Sequence, residues 1–371
     1  MNPFENYQLK EGVVLKNRLV MAPMTTYSGQ EDLHVSEAEL HYYKLRSKTL
    51  GMVITAATSV NEQAQAFERQ ITLKSDDYIN SMSVLAKTIQ QEGAKAIVQL
   101  HHGGRMNNPT LYKDLSNIVS ASAVKADREG AVTPRALTEA EVYQTIDDFA
   151  SATKRAIQAG FDGVELHGAN TYLLQQFFSP HSNRRTDAFG GNIAKRLTFI
   201  DLLIDKVYKT IKENSKKPFV LGYRFSPEEL ETPGITLDDT VHLVEFLKTK
   251  PLDYLHVSLG QYMQTSIRDK GENTPVVTLI QSRLKHDKPL IASGKIQSLD
   301  DVNNALKNGY DLCAIGMAIL ADPNFGKSIK TGKSKKTFDK STLPKPLYNR
   351  LEKYANRYKD SEFKIPVDSK K

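Results

Sequence analysis

Cysteine occurs once in the 371 residues, at Cys313. A single thiol cannot close an internal disulfide, and it excludes a cysteine-rich zinc site and an iron–sulfur cluster held by this chain alone. No other metal-binding motif is present, so no metal is expected. Also missing is any run of about 18 apolar residues, the length a helix needs to cross a bilayer. The opening, MNPFENYQLKEG, has no cationic stretch ahead of an apolar core. Neither a membrane span nor export is indicated, and a cytoplasmic protein is expected. With 40% hydrophobic residues the chain can bury a large core, and its length suits one barrel-sized domain or two smaller ones.

A net charge of +7 suggests nucleic acid until it is located. Residues 327–371 hold 14 Lys and Arg against 5 Asp and Glu, whereas the first 326 residues hold 36 against 38. The surplus belongs to the tail. KSIKTGKSKKTFDK carries one aromatic residue, so it lacks the stacking side chains of a base-binding surface, and a solvated face or subunit contact is the expected role. No nucleic-acid partner is expected.

What the chain has in quantity is alternation. Apolar runs of strand type lie at 18–23, 51–58, 94–100, 163–168, 219–226, 254–259, 289–296 and 312–320. Amphipathic segments of helical period separate them. VSEAELHYYKLRSKT has Ser36 as an N-cap, and LTEAEVYQTIDDFASATKRAIQAG opens on a Thr138, Glu141 capping box and closes on Gly160. Eight such alternations without a linker predict an α/β fold, a (β/α)8 TIM barrel, over residues 1–330. Residues 331–371 form a basic C-terminal extension, helical in part through PLYNRLEKYANRYK. A doubly wound sheet stops earlier and carries a glycine-rich turn after its first strand, where this chain has PMTTYSG.

Barrels of this kind collect their active sites where strands end. The unusual polar residues fall there: Thr25 and Tyr27 after the first run, Gln99, His101 and His102 at the third, His167 and Asn170 at the fourth, Arg224 in the fifth, Lys295 at the seventh. Strand periodicity places Gln99 with His101, and Arg224 with Gly222, on common faces. A capped turn or a packed aromatic would account for each residue alone. Their convergence on one rim points to a site.

VMAPMTTYS, QLHHGGR, GVELHGANTYLLQQFFSPHSNRRTDAFGGN, IASGKI and AIGMAILADP together resemble the Old Yellow Enzyme family of flavin-dependent ene reductases, over residues 3–326. The resemblance implies FMN held non-covalently at the mouth of the barrel, NADPH or NADH as hydride donor, and an electron-poor alkene as small-molecule substrate. It makes His167 and Asn170 the paired donors to the substrate oxygen, Tyr172 the proton donor, and Tyr27 a residue leaning over the substrate. For the flavin it implies Gln99 and Arg224 at the pyrimidine edge and Thr25 at the C4 carbonyl. Ala22, Pro23, Met24 and Ala57 complete that pocket, and Ser293, Gly294, Lys295, Gly316 and Met317 form the phosphate cradle. His102, Arg105, Arg184 and Asp187 are expected to brace the mouth loops, and residues 103–137 to cover the mouth as a long loop or small hairpin.

The chain departs from that pattern at the cradle. Relatives carry an arginine directly after the glycine of the eighth strand, where Met317 stands here, and Lys295 occupies a position usually small; Lys295 is therefore expected to supply the phosphate's cation. In some relatives a C-terminal arginine enters the neighbouring subunit's mouth, and Arg350 is the candidate, which leaves a homo-oligomer open. Two other chemistries compete: a Schiff-base aldolase using Lys295, and a flavin carrier without catalysis. A flavin barrel with a cysteine base would need its thiol on a loop, whereas Cys313 lies inside a strand run.

Overall fold

The structure, a computed structural model, describes residues 1–353 and Phe363. Eight parallel strands close into a barrel: β1 (Leu19–Met21), β2 (Met52–Ile54), β3 (Lys95–His101), β4 (Gly163–Gly168), β5 (Val220–Phe225), β6 (Tyr254–Val257), β7 (Leu290–Ala292) and β8 (Leu312–Ile315). Each pairs with the next, and β8 returns to β1 through Cys313 opposite Leu19 and Ile315 opposite Met21. The fold is the expected (β/α)8 barrel.

Parallel strands covered on both faces need apolar residues on both faces, and the two faces build two cores. The barrel interior is filled by Val20, Met52, Ile97, Val220, Tyr254, Ile291 and Leu312, with Leu9, Val13 and Leu15 of an N-terminal hairpin plugging the end where strands begin. Outside, helices such as Glu139–Gln158 and Ile193–Asn214 press Phe149, Phe199 and Leu203 against the strands' outer faces. The predicted caps form: Ser36 Oγ accepts from the Glu39 amide, and Thr138 and Glu141 make a reciprocal capping box. Each sets a helix start, and hence the length of the loop crossing the mouth before it.

Three boundaries differ from the sequence reading. The run at 312–320 breaks after Ile315, because Gly316 turns at φ −102°, ψ −98° and Met317–Ala321 form a short helix. The run at 51–58 likewise ends at Ile54, and Thr58–Ser59 pair separately with β3. Residues 103–137 make no hairpin; Val119–Ser120 and Arg135–Ala136 pair in parallel among 3-10 turns. In the tail, a helix at Lys345–Lys353 buries Leu347, Tyr348 and Leu351 in the outer core. The remainder of PLYNRLEKYANRYK lies outside the described residues.

Candidate active site

Register places the polar residues on two levels of the barrel. Gln99, Glu165 and Gly222 are level across β3, β4 and β5, with Tyr254 of β6 opposite Gly222; two residues higher, His167, Arg224 and His256 are level across β4, β5 and β6. Side chains two apart on a strand share a face, so both groups point into the barrel near its C-terminal mouth. Gly222 is required there, since a Cβ at that position would stand 2.1 Å from the Tyr254 ring.

His167 is buried, and its Nδ1 accepts a 3.4 Å hydrogen bond from the Ala169 amide. A neutral imidazole accepting at Nδ1 carries its proton on Nε2. Burial, and after it the nearby Arg224, hold the ring's pKa well below the ordinary histidine value, so the neutral tautomer with a free Nε2–H persists at neutral pH. Asn170 is oriented by a relay: Arg224 Nη2 donates to Ser258 Oγ at 3.0 Å, and Ser258 Oγ donates to Asn170 Oδ1 at 2.9 Å. With its oxygen engaged, the amide presents its NH2 end. Asn170 and Thr171 both sit at positive φ, 56° and 64°. That turn brings Tyr172 back over the barrel, its ring 4.9 Å from His167 and 4.3 Å from His101. Asparagine tolerates the left-handed region better than most residues. Burial, then the neighbouring Tyr27, push the Tyr172 phenol well above 10, and it stays protonated.

Beside this group lies a cavity of about 340 Å³ lined by Ala22, Pro23, Met24, Arg224, Lys295 and Met317, among others. The Arg224 Nε–H is buried without a partner among the described residues, and an unmet guanidinium N–H beside a cavity calls for an acceptor. Gly294 turns at φ +100°, and a Cβ there would stand 2.5 Å from the Leu259 carbonyl oxygen. An arginine donor at one end and a turn of exposed amides at the other fit the ring edge and phosphate of FMN. Lys295 also turns at positive φ, 50°, and is exposed at the cradle's rim. The Ser293 hydroxyl donates to the Val257 carbonyl, so only its backbone can face the cradle. Ala57's carbonyl accepts from Gln70 Nε2, and Gln99 Nε2 donates to Glu165 at 2.7 Å. Thr25 is half-buried beside Thr26, whose hydroxyl donates to Glu39.

At the outer mouth a smaller cavity of about 200 Å³ lies between Tyr27, Phe67, Arg128, Tyr172 and Arg350. Arg350 stacks 3.6 Å above the Tyr27 ring. The C-terminal helix thus places this arginine at its own chain's mouth. Arg105 and His102 are buried under the loops as expected. The partner of Asp187, however, is Arg185, which also holds the Ala121 carbonyl at 3.0 Å; the Arg184 side chain donates to the nearby His181 carbonyl, and its backbone amide donates to Ser122 Oγ at 2.8 Å. Sequence reasoning passed over Ser258, Arg128 and Phe67. Ser258 does stand just past the end of a strand, but a serine there is too common to be noticed.

Fold and site define a flavin-binding barrel. The sequence profile of the NADH:flavin oxidoreductase / NADH oxidase family matches residues 3–336, and the chain belongs to that family. It is 44% identical to the probable NADH-dependent flavin oxidoreductase YqiG of Bacillus subtilis, over 95% of this chain and 97% of that one. It is also 40% identical to the NADH:fumarate oxidoreductase of Klebsiella pneumoniae, covering 92% of this chain but only 38% of that protein. Among solved structures, morphinone reductase superposes with a TM-score of 0.79 at 25% identity, covering 92% of each chain. The protein is a flavin-dependent NAD(P)H oxidoreductase of Old Yellow Enzyme type that uses FMN.

Proposed function

We propose that this oxidoreductase reduces the C=C bond of electron-poor alkenes, α,β-unsaturated carbonyl or nitro compounds, in the cytoplasm where NADPH and NADH are available. The observation that carries the proposal is a pair of oriented donors, His167 Nε2–H and the Asn170 NH2, beside a protonated phenol, Tyr172. FMN would be held by Gln99 and Arg224 at its ring edge, by Ala22, Pro23, Met24, Thr25 and Ala57 along its side, and by the turns at 293–295 and 316–317 at its phosphate. When bound, it supplies hydride drawn from the nicotinamide to the alkene's β-carbon.

The protein's own residues do the rest. Two fixed donors at the substrate oxygen strengthen their bonds as negative charge develops there, which lowers the barrier more than it tightens binding. Both donors are pre-oriented, His167 by the Ala169 amide and Asn170 by Ser258, so little reorganisation accompanies the charge. Tyr172 holds the proton for the α-carbon. Tyr27, edge-on to Phe67 at 5.6 Å, covers the substrate with Tyr172 and excludes water. Lys295 is exposed at a turn, not enclosed in the apolar pocket that a Schiff-base lysine needs, so the aldolase reading finds no support.

A direct test uses colour. The purified protein should be yellow, NADPH should bleach it anaerobically, and cyclohexenone should restore the colour with stoichiometric cyclohexanone. Bleaching without re-oxidation by any enone, enal or nitroalkene would leave only a carrier or an oxidase.

A further inference from the structure

Beneath the residues assigned to flavin and substrate lies a carboxylate with no role in that assignment. Glu165 is 0% exposed at the centre of the barrel. One of its oxygens accepts from Gln99 Nε2 at 2.7 Å; the other accepts from the Tyr254 hydroxyl at 3.0 Å and from His256 Nδ1 at 2.9 Å. Arg224 stands one level higher on the neighbouring strand. An isolated buried carboxylate is very costly. Burial would indeed push this carboxyl up, but His256, Arg224 and Gln99 together more than offset that and leave its pKa below the ordinary glutamate value. It is a buried anion with three hydrogen-bond donors.

Two consequences follow from that anion. A carboxylate can only accept, so the Gln99 amide must turn its nitrogen down to Glu165 and its oxygen away from it. Gln99 therefore turns its carbonyl oxygen, an acceptor, toward a ligand above it. The second consequence is charge. Arg224 is permanently ionised and shares its low-dielectric surroundings with a negative charge, so the positive field it projects into the cavity is partly cancelled.

We infer that Glu165 is a positioning and charge-balancing residue for the cofactor, fixing Gln99 as an acceptor for a ring N–H and weakening the hold of Arg224 on the more negative, reduced form of the flavin. The inference rests on the assignment of Gln99 and Arg224 to the flavin's pyrimidine edge. It predicts a sign that a merely structural glutamate does not. Removing the negative charge leaves Arg224 uncompensated, so reduced FMN is favoured. Removing a donor from the carboxylate does the reverse, since the anion then opposes Arg224 more strongly.

The experiment measures the ratio of affinities for reduced and oxidised FMN, as a midpoint potential, together with FMN stoichiometry and thermal midpoint. In Glu165→Gln the ratio should rise on the order of tenfold, equivalent to about 30 mV for a two-electron couple. In Tyr254→Phe, which keeps the charge and loses one donor, the ratio should fall roughly two- to threefold, as expected for one hydrogen bond. Should Glu165→Gln not fold, the Tyr254→Phe sign alone decides. An FMN-replete variant with an unchanged potential, or shifts of the opposite sign, would overturn the role of Glu165. A wild-type protein that takes up no FMN would instead overturn the flavin assignment beneath it.

Discussion

Tyr172 and Lys295 show how far single residues constrain the chemistry. The phenol is buried, packed edge-on against two imidazoles, and held protonated by burial and by Tyr27. If it is the proton donor, Tyr172→Phe should leave bleaching by NADPH nearly intact while enone reduction slows by roughly 10²- to 10⁴-fold. Stopped-flow traces of the two half-reactions check this, and an equal fall in both would remove Tyr172 from the role. Lys295 holds a left-handed conformation that glycine would hold without cost; a lysine there costs about 1 kcal/mol. Such a cost at a cradle lacking an arginine, with Met317 in its place, suggests that the ammonium is retained for the phosphate. Lys295→Gly should therefore raise thermal stability and weaken FMN binding by roughly 10- to 150-fold, the value of a charge-assisted hydrogen bond. Titration of FMN into the apoprotein measures it. Unweakened binding would assign the phosphate to backbone amides alone.

At the scale of elements, the helix Glu37–Ser47 carries a second buried acid. Glu39 accepts from Thr26, its other oxygen has no partner among the described residues, and burial raises its pKa from 4.5 to about 7. Between those values the unfolded chain gives up this proton while the folded chain keeps it. The stabilisation is therefore complete below the unfolded pKa and is lost as pH rises through about 7. A shift of this size corresponds to roughly 3 kcal/mol. The urea midpoint should thus fall more between pH 5 and pH 8 for the wild type than for Glu39→Gln, and parallel falls would show that Glu39 is not the titrating group. Nothing in SEAELHYYK announced this burial, since Glu39 sits one turn from its cap as exposed first-turn acids do; only the tertiary fold, which buries it close to Tyr42 and Tyr43, encloses it. The strands were legible because parallel strands need apolar residues on both faces, and the caps because their chemistry is local. Strand ends were less legible. AIGMAIL is apolar throughout, so only the backbone at Gly316 reveals where strand gives way to helix. In the site, His167, Asn170, Tyr172 and Arg224 were legible from motifs, while Ser258 and the donors around Glu165 come together through register between strands far apart in sequence.

The whole molecule couples its tail to its mouth. Arg46, fully buried, donates to the carbonyls of Ile319, Leu320 and Thr342, tying the first barrel helix to the cradle-side helix and to the extension. The extension then runs back to the rim, where Leu347, Tyr348 and Leu351 anchor a helix whose Arg350 covers Tyr27. A tail read from sequence alone could be placed only by its net charge and helical period, neither of which distinguishes a chain's own mouth from a neighbour's. Loss of this cation over an aromatic ring is worth about 0.5–1 kcal/mol at an exposed site, so Arg350→Ala should raise the KM for an enone roughly two- to fivefold. A mixed oligomer then separates the two arrangements. Arg350→Ala and Tyr172→Phe chains carrying different tags, co-expressed and purified through both tags, place one defect in each chain. If the arginine serves its own barrel, every mouth in the mixture is damaged, and activity should match the mean of the two parents at every enone concentration. If a neighbour supplied it, the chain retaining Tyr172 would receive an intact arginine, and the KM of the mixture would return to the wild-type value.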